Sequence, residues 1–246
     1  MLAYRIARLV ETTSTNTVAL DAAAAGEPEG YVVVADHQTA GRGRLGRTWV
    51  APPASALLVS VLLRPPPAEA HVAVSAVGCA AAAACERAAG VSPGLKWPND
   101  LVVDDRKLAG VLAETTANLT VVVVGLGLNV HVPPDRPRDL VISAADLDEL
   151  AGRRVPRDAL LDAFLIELAR RYDDLGAVMA EYRRRCVTLG RRVRASLADG
   201  DVVGEAVAVA DTGGLVIDTD GGTRVTVAAG DVDDELRHLF AVLAGA

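Results

Sequence analysis

Apolar positions along this chain change period several times, and each change marks an element. Leu160, Leu161, Phe164, Leu165, Leu168 and Tyr172 recur at helical spacing and predict a helix with one core-facing stripe. Residues 31–35 and 57–63 read as short buried strands, the second stopped by Pro65, Pro66 and Pro67. Residues 69–89 are alanine-rich and helical, so Cys79 and Cys85 become core or helix-packing positions. Near the start, Ser14 precedes a helical run over 17–25 that ends at Gly26, a pair of capping residues. Strands follow at 101–103, 107–114 and 119–130, with Asp104-Asp105 and Ala117-Asn118 in the turns and a proline-rich loop at 133–137. No regular βαβ alternation results. The class is α+β, with a mixed or antiparallel sheet and flanking helices. Arg183, Arg184 and Arg185 read as a solvated helix end.

From about Leu189 the pattern becomes short β-like runs at 192–197, 202–208, 214–218 and 223–228. Asp199-Gly200, Gly213-Gly214 and Gly221-Gly222 punctuate them. They predict a small five-stranded barrel, too small to be strongly stable alone and expected to dock on the rest. The division is a domain over 1–188 and a second over 189–246.

Charge changes this picture at one place. The chain is acidic, with net charge -7, yet no acid occurs between Asp36 and Glu69 while Arg42, Arg44, Arg47 and Arg64 do. Three of those arginines lie in Gly41-Arg42-Gly43-Arg44-Leu45-Gly46-Arg47-Thr48-Trp49. Glycines let a backbone approach a ligand, and guanidinium groups fork onto carboxylate or phosphate oxygens, so the loop reads as an anion clamp. Gly41, Gly43 and Gly46 also satisfy a GxGxxG dinucleotide pattern. Pro52 and Pro53 forbid the helix it needs, and the acid required about 20 residues later is missing.

Composition bounds the rest. The chain has 246 residues, about half of them apolar (51%), enough for a substantial core. No uncharged run reaches the roughly 20 residues of a membrane span, and residues 1–8 lack a signal-peptide pattern. Cys79, Cys85 and Cys186 show no metal-ligand or disulfide spacing, which suits reduced thiols in a cytoplasm; His37, His71, His131 and His238 are scattered and suggest no metal site. The acidic balance argues against general nucleic-acid binding.

Further motifs join the arginine loop: Ser14-Thr15-Asn16, Lys96-Trp97-Pro98-Asn99-Asp100, residues 107–114 (Lys-Leu-Ala-Gly-Val-Leu-Ala-Glu), and Gly125-Leu126-Gly127-Leu128-Asn129. In this order and spacing the chain resembles the biotin protein ligases (biotin–acetyl-CoA-carboxylase ligases) over nearly its whole length. The resemblance implies a class II synthetase-like catalytic domain and a carboxy-terminal SH3-like β-barrel. It implies ligation of biotin, via biotinyl-5'-AMP, to a lysine of the biotin carboxyl carrier domain of acyl-CoA carboxylases. Biotin and ATP are then substrates, with Mg2+ accompanying ATP. Nucleic acid and membrane are not implied partners, and a weak or ligand-linked homodimer stays open. Ser14 stands 13 residues from the start, so the expected type is a ligase without a helix-turn-helix domain.

Residue by residue, Ser14, Thr15, Asn16 and Gln38 match the ureido side of the biotin pocket, and Arg42, Gly43 and Arg44 the loop that closes over it. Lys107 matches the lysine near the biotin carboxylate and α-phosphate, with Gly110 beside it. Trp49, Asn99 and Asn129 match ATP-side positions. Lys107, Lys96, Asp100 and Arg44 form the expected catalytic set; Asp100 could orient Lys96, hold magnesium or assist the incoming amine. Ala51, Ala54 and Ala56 replace the family's usual serine- and glycine-rich residues after Trp49. Two alternatives remain: a lipoate or octanoate ligase of related fold, and a biotin-responsive regulator without turnover.

Overall fold

Seven strands pair into one sheet: β1 (Arg5–Thr12), β2 (Tyr31–Gln38), β3 (Ala56–Leu63), β4 (Gly94–Lys96), β5 (Asp100–Val103), β6 (Arg106–Thr115) and β7 (Val122–Asn129). Their order is β1-β2-β3-β7-β6-β5-β4; β1 and β2 run parallel and all other pairs antiparallel. The computed structural model describes residues 2–116, 120–131, 144–197, 200–228 and 230–234. The expected turn at Ala117-Asn118 and the loop at 133–137 lie outside the described residues.

The alternation of β3 shows how the layers form. Leu57, Val59, Val61 and Leu63 belong to the main core with helices α2 (Ala70–Ala89) and α4 (Arg157–Tyr172). The opposite side chains divide, with Leu62 packing near α1 (Thr15–Ala24) and Ala56 and Leu58 beside Trp49. All eight residues of β3 are buried, as a strand covered on both faces requires. Helix α2 is apolar and long enough by composition to cross a membrane, but 72% of its apolar window is buried. It is the core helix of this fold, ended by Gly90 at φ 73. Burial pushes the Cys79 and Cys85 thiols up to about 12, and all three cysteines are free and buried. Such thiols stay protonated and unreactive at neutral pH.

A second sheet holds β8 (Arg192–Leu197), β9 (Gly200–Val209), β10 (Leu215–Thr219), β11 (Arg224–Val227) and β12 (Asp231–Asp234), in the antiparallel order β11-β10-β9-β8-β12. This small SH3-like unit does dock. Val193, Ala206, Leu215 and Val232 belong to the same buried cluster as α2 and β7. Trp97 Nε1 donates to Gly213 O at 2.9 Å, its backbone N–H donates to Thr188 Oγ1 at 2.9 Å, and Arg191 pairs with Asp105 at 2.8 Å.

Several sequence expectations change. β1 escaped the pattern because it is an edge strand with mixed exposure rather than a clean alternation. Ser14 occupies the N-cap position of α1 but makes no capping bond, and α1 begins at Thr15. The three arginines at the end of α5 (Leu175–Arg185) are not a uniformly solvated end. Arg185 bonds Glu86 at 2.7 Å and Glu181 at 2.9 Å, while Arg183 donates to Val209 O at 2.7 Å. Residues 147–151 form a further short helix, α3 (Leu147–Ala151), whose N-cap Asp146 accepts from Glu149 N.

The buried hydrogen bond at the junction and an exposed ion pair within the larger unit differ in weight. Trp97→Phe keeps an aromatic ring, though a smaller one, and leaves the Gly213 carbonyl without its donor, a loss of about 1–2 kcal/mol. At this chain length calorimetry should show a fall in Tm of about 2–8 °C. Arg8→Ala removes an ion pair whose side chains are 56% and 77% exposed, and should move Tm by less than about 2 °C. Equal shifts would deny Trp97 its anchoring part.

Candidate active site

The face of the sheet opposite α2 is stripped of side chains at its middle. Cross-strand partners there form rows: Ser60, Gly125 and Leu112; Leu58, Gly127 and Gly110; Leu62, Val123 and Glu114. Two side chains from elsewhere fill the glycine rows. Asn16, on the first turn of α1, lies across Gly125, where any Cβ would overlap its Oδ1. The Trp49 indole lies on Gly127, only 2.5 Å from the position of an added Cβ, and Ala51, Ala56 and Leu58 pack beside it. Above this floor is a cavity of about 300 Å³.

At one end are Ser14, Thr15, Asn16 and Gln38. Gln38 Oε1 accepts from Thr15 N at 2.7 Å and from Thr15 Oγ1 at 3.0 Å. Its oxygen is thereby occupied, and its Nε2 hydrogens are what it can offer a ligand. Asn16 is arranged in the opposite sense. Its Nδ2 donates to Leu112 O at 3.2 Å and Glu114 Oε2 at 2.7 Å, while its Oδ1 accepts from Ser60 Oγ at 2.6 Å. Both amide hydrogens are used; one lone pair remains. This end of the cavity thus presents a donor at Gln38 and an acceptor at Asn16.

The other end is cationic. Gly43, Arg44 and Arg47 enter from the loop, Lys96, Asn99 and Asp100 from the β4–β5 turn, and Lys107 and Gly110 from β6. Lys107 Nζ lies 2.8 Å from Asp100 Oδ1 and 5.8 Å from the centroid of the Trp49 ring. Arg44 Nη1 donates to Asn99 Oδ1 at 3.2 Å and to Gly230 O of the second sheet at 3.4 Å, and Val232 also lines the cavity. Arg42 behaves differently. Its guanidinium sits on Glu114 at 2.8 and 3.0 Å and on Thr17 Oγ1 at 2.8 Å, so its charge is already balanced.

Asn129 is the one anticipated site residue that does not line the cavity. Its Nδ2 donates to Ala145 O at 3.1 Å and Lys107 O at 3.4 Å, supporting Lys107 from behind. Asp100, for which three partners were open, is paired with Lys107. Among the described residues no group of three or more His, Cys, Asp or Glu side chains could hold a metal ion.

Comparison with known proteins agrees with this geometry. The family model described as Biotin/lipoate A/B protein ligase family matches residues 8–129, and the Biotin protein ligase C terminal domain matches residues 188–233. The biotin–[acetyl-CoA-carboxylase] ligase of Mycobacterium tuberculosis is 40% identical over 239 residues, covering 91% of this chain and 86% of that protein. The chain belongs to the biotin protein ligase family. The bifunctional ligase/repressor BirA of Bacillus subtilis is 31% identical over 223 residues, covering 86% of this chain and 69% of that protein. The structure of the biotin protein ligase from Aquifex aeolicus in complex with biotin and ATP matches with a TM-score of 0.80 at 27% identity, covering 93% of this chain and 97% of that one.

Sequence reading missed two polar residues of this ligase site. Ser60 had a signal: it is the single polar residue in the otherwise apolar run of β3, and it is fully buried. Glu114 closes the 107–114 motif, but its partners Asn16 and Arg42 come from distant segments.

Gly127→Ala tests the floor. The added methyl must displace the Trp49 indole, so emission from the two tryptophans should shift to the red, because Trp97 stays buried. An unchanged spectrum would mean that Trp49 does not rest on Gly127.

Proposed function

We propose that this chain is an ATP-dependent ligase that joins biotin to a specific lysine in the carrier domain of a biotin-dependent carboxylase. The observation that carries the reading is the polarity of a single cavity. A cyclic urea offers a carbonyl oxygen and N–H groups, the complement of a Gln38 donor and an Asn16 acceptor. A carboxylate at the far end of the same small molecule reaches the cationic residues. A lipoyl or octanoyl chain has neither urea group; it would leave Gln38 and Asn16 desolvated without partners, about 1–3 kcal/mol for each group.

A carboxylate does not acylate an amine in neutral water, so it must first be activated. The biotin carboxylate attacks the α-phosphorus of MgATP, forming biotinyl-5'-AMP and releasing pyrophosphate. The acceptor lysine, as a neutral amine, then attacks the acyl carbon; AMP leaves and the nitrogen gives up its proton. The first step brings two anions together. Lys107 is the residue suited to offset that repulsion, and Asp100 holds its Nζ in place until ligand arrives. Arg44, tethered by Asn99 and Gly230, closes over the adenylate. Lys96 supplies further positive charge, and Trp49 offers an aromatic face to the adenine. The buried free thiols fit an enzyme working in a reducing cytoplasm.

The assay that tests this reading is exchange of pyrophosphate into ATP. It should require biotin and fail with lipoate or octanoate; exchange supported equally by all three would reject the biotin assignment. Lys107→Ala should slow that exchange about a hundredfold or more, while transfer from supplied biotinyl-AMP to an apo carrier domain falls less. Equal losses in both half-reactions would make Lys107 a general binding residue. Arg44→Ala should speed biotinyl-AMP dissociation by roughly 10- to 100-fold, the worth of one charge-assisted bond. Dissociation as slow as from the unaltered protein would remove Arg44 from the clamp.

A further inference from the structure

Glu114 does not line the cavity, yet it holds two residues that do, Asn16 and Arg42. One oxygen, Oε2, accepts from Asn16 Nδ2 at 2.7 Å and from Arg42 Nη2 at 2.8 Å; Oε1 accepts from the same Arg42 nitrogen at 3.0 Å. Register explains its place. Glu114 lies on the site face of β6 beside Val123, one row beyond the Gly125 row that Asn16 crosses. We propose that Glu114 is a positioning residue for biotin recognition, fixing the hydrogen-bonding sense of Asn16 and anchoring the base of the arginine loop through one carboxylate.

Each half rests on the inventory of donors and acceptors. Asn16 can present either its oxygen or its amide hydrogens to the cavity, depending on how the amide is turned. Glu114 Oε2 and Leu112 O are both pure acceptors on the Nδ2 side, and Asn16 Oδ1 turned toward them would meet two oxygens. The present orientation is therefore enforced, and Asn16 can only accept from a ligand N–H. A glutamine at 114 could turn its own amide to donate, leaving Leu112 O as the one acceptor that still opposes the turned amide.

The other half concerns the loop. Arg42 stands between Gly41 and Gly43 and its guanidinium is spent on Glu114 and Thr17, whereas Arg44 is held only by the longer bonds to Asn99 and Gly230 and can turn to an anion. The bond from Arg42 to Glu114 ties the loop to the strand that carries Lys107 and Gly110. Loop closure and urea recognition then share one residue, and two events that depend on the same bond are energetically coupled.

This inference rests on the biotin reading, and the test separates the two. In Glu114→Gln, which keeps shape and volume, equilibrium binding of biotin should weaken about 10- to 100-fold while the KM for ATP changes less than about threefold. Amide exchange across residues 41–49 in the biotin-bound protein should rise. Arg42→Ala should weaken biotin on its own, and the double variant should bind no worse than the weaker single variant. Biotin binding by Glu114→Gln within threefold of the unaltered protein would overturn the proposal. So would equal weakening toward biotin and ATP, which marks a merely structural role, or additive losses in the double variant. Failure of the unaltered protein to bind biotin would instead sink the assigned function.

Discussion

The site depends on one constraint: three central strands must be apolar on one face and bare at the middle of the other. On β3, β6 and β7 the core-facing positions carry Leu57, Val59, Val61, Ala109, Val111, Val124, Leu126 and Leu128, packed under α2 and α4. On the open face the same strands carry Ser60, Gly110, Gly125 and Gly127. Because side chains alternate with period two, a slip of one residue would put glycines into the core and leucines into the cavity. Burial of the helical layer therefore fixes the register that opens the ligand site. Side chains from α1 and the arginine loop enter that space because the sheet itself leaves it empty.

The Lys107–Asp100 pair beside the cavity is weakly held. Lys107 and Asp100 are 40% and 24% exposed. Ion pairs with that much solvent contribute little, on the order of 1 kcal/mol or less. A ligand bringing a carboxylate and phosphate groups can take Lys107 from Asp100 at small cost. Arg42 is harder to move, since two oxygens of Glu114 and the hydroxyl of Thr17 hold it together. The arginine loop thus divides its labour: the Arg42 guanidinium fixes the loop, and Arg44 lines the cavity on longer bonds.

The second sheet completes the cavity rather than standing apart. Gly230 O accepts from Arg44 and Val232 reaches the cavity wall, while Trp97 of the Lys-Trp-Pro-Asn-Asp run is spent on Gly213 and Thr188 at the junction. That run therefore serves two purposes. Its tryptophan anchors the smaller unit, and Lys96, Asn99 and Asp100 on either side line the cavity.

The sequence by itself determined the period of the strands, the helical stripe of α4 and the anion-seeking loop, while the site residues were legible through the family resemblance. These are local signals: alternation, spacing, glycine and charge within a few residues. What it could not supply are facts about distance between segments. β1 pairs in parallel with β2 although its own pattern is irregular. Ser14 lies at a helix start without capping it. Asn129 stands behind Lys107 instead of in the cavity, and Asp100 faces Lys107 across the turn from β5 to β6. Ser60 and Glu114 became part of the site only when β3 and β6 were set on either side of β7 and α1 laid Asn16 between them. Hydrogen-bond partners 44 and 98 residues apart leave no mark on a local pattern, because only tertiary packing brings a buried donor to its acceptor.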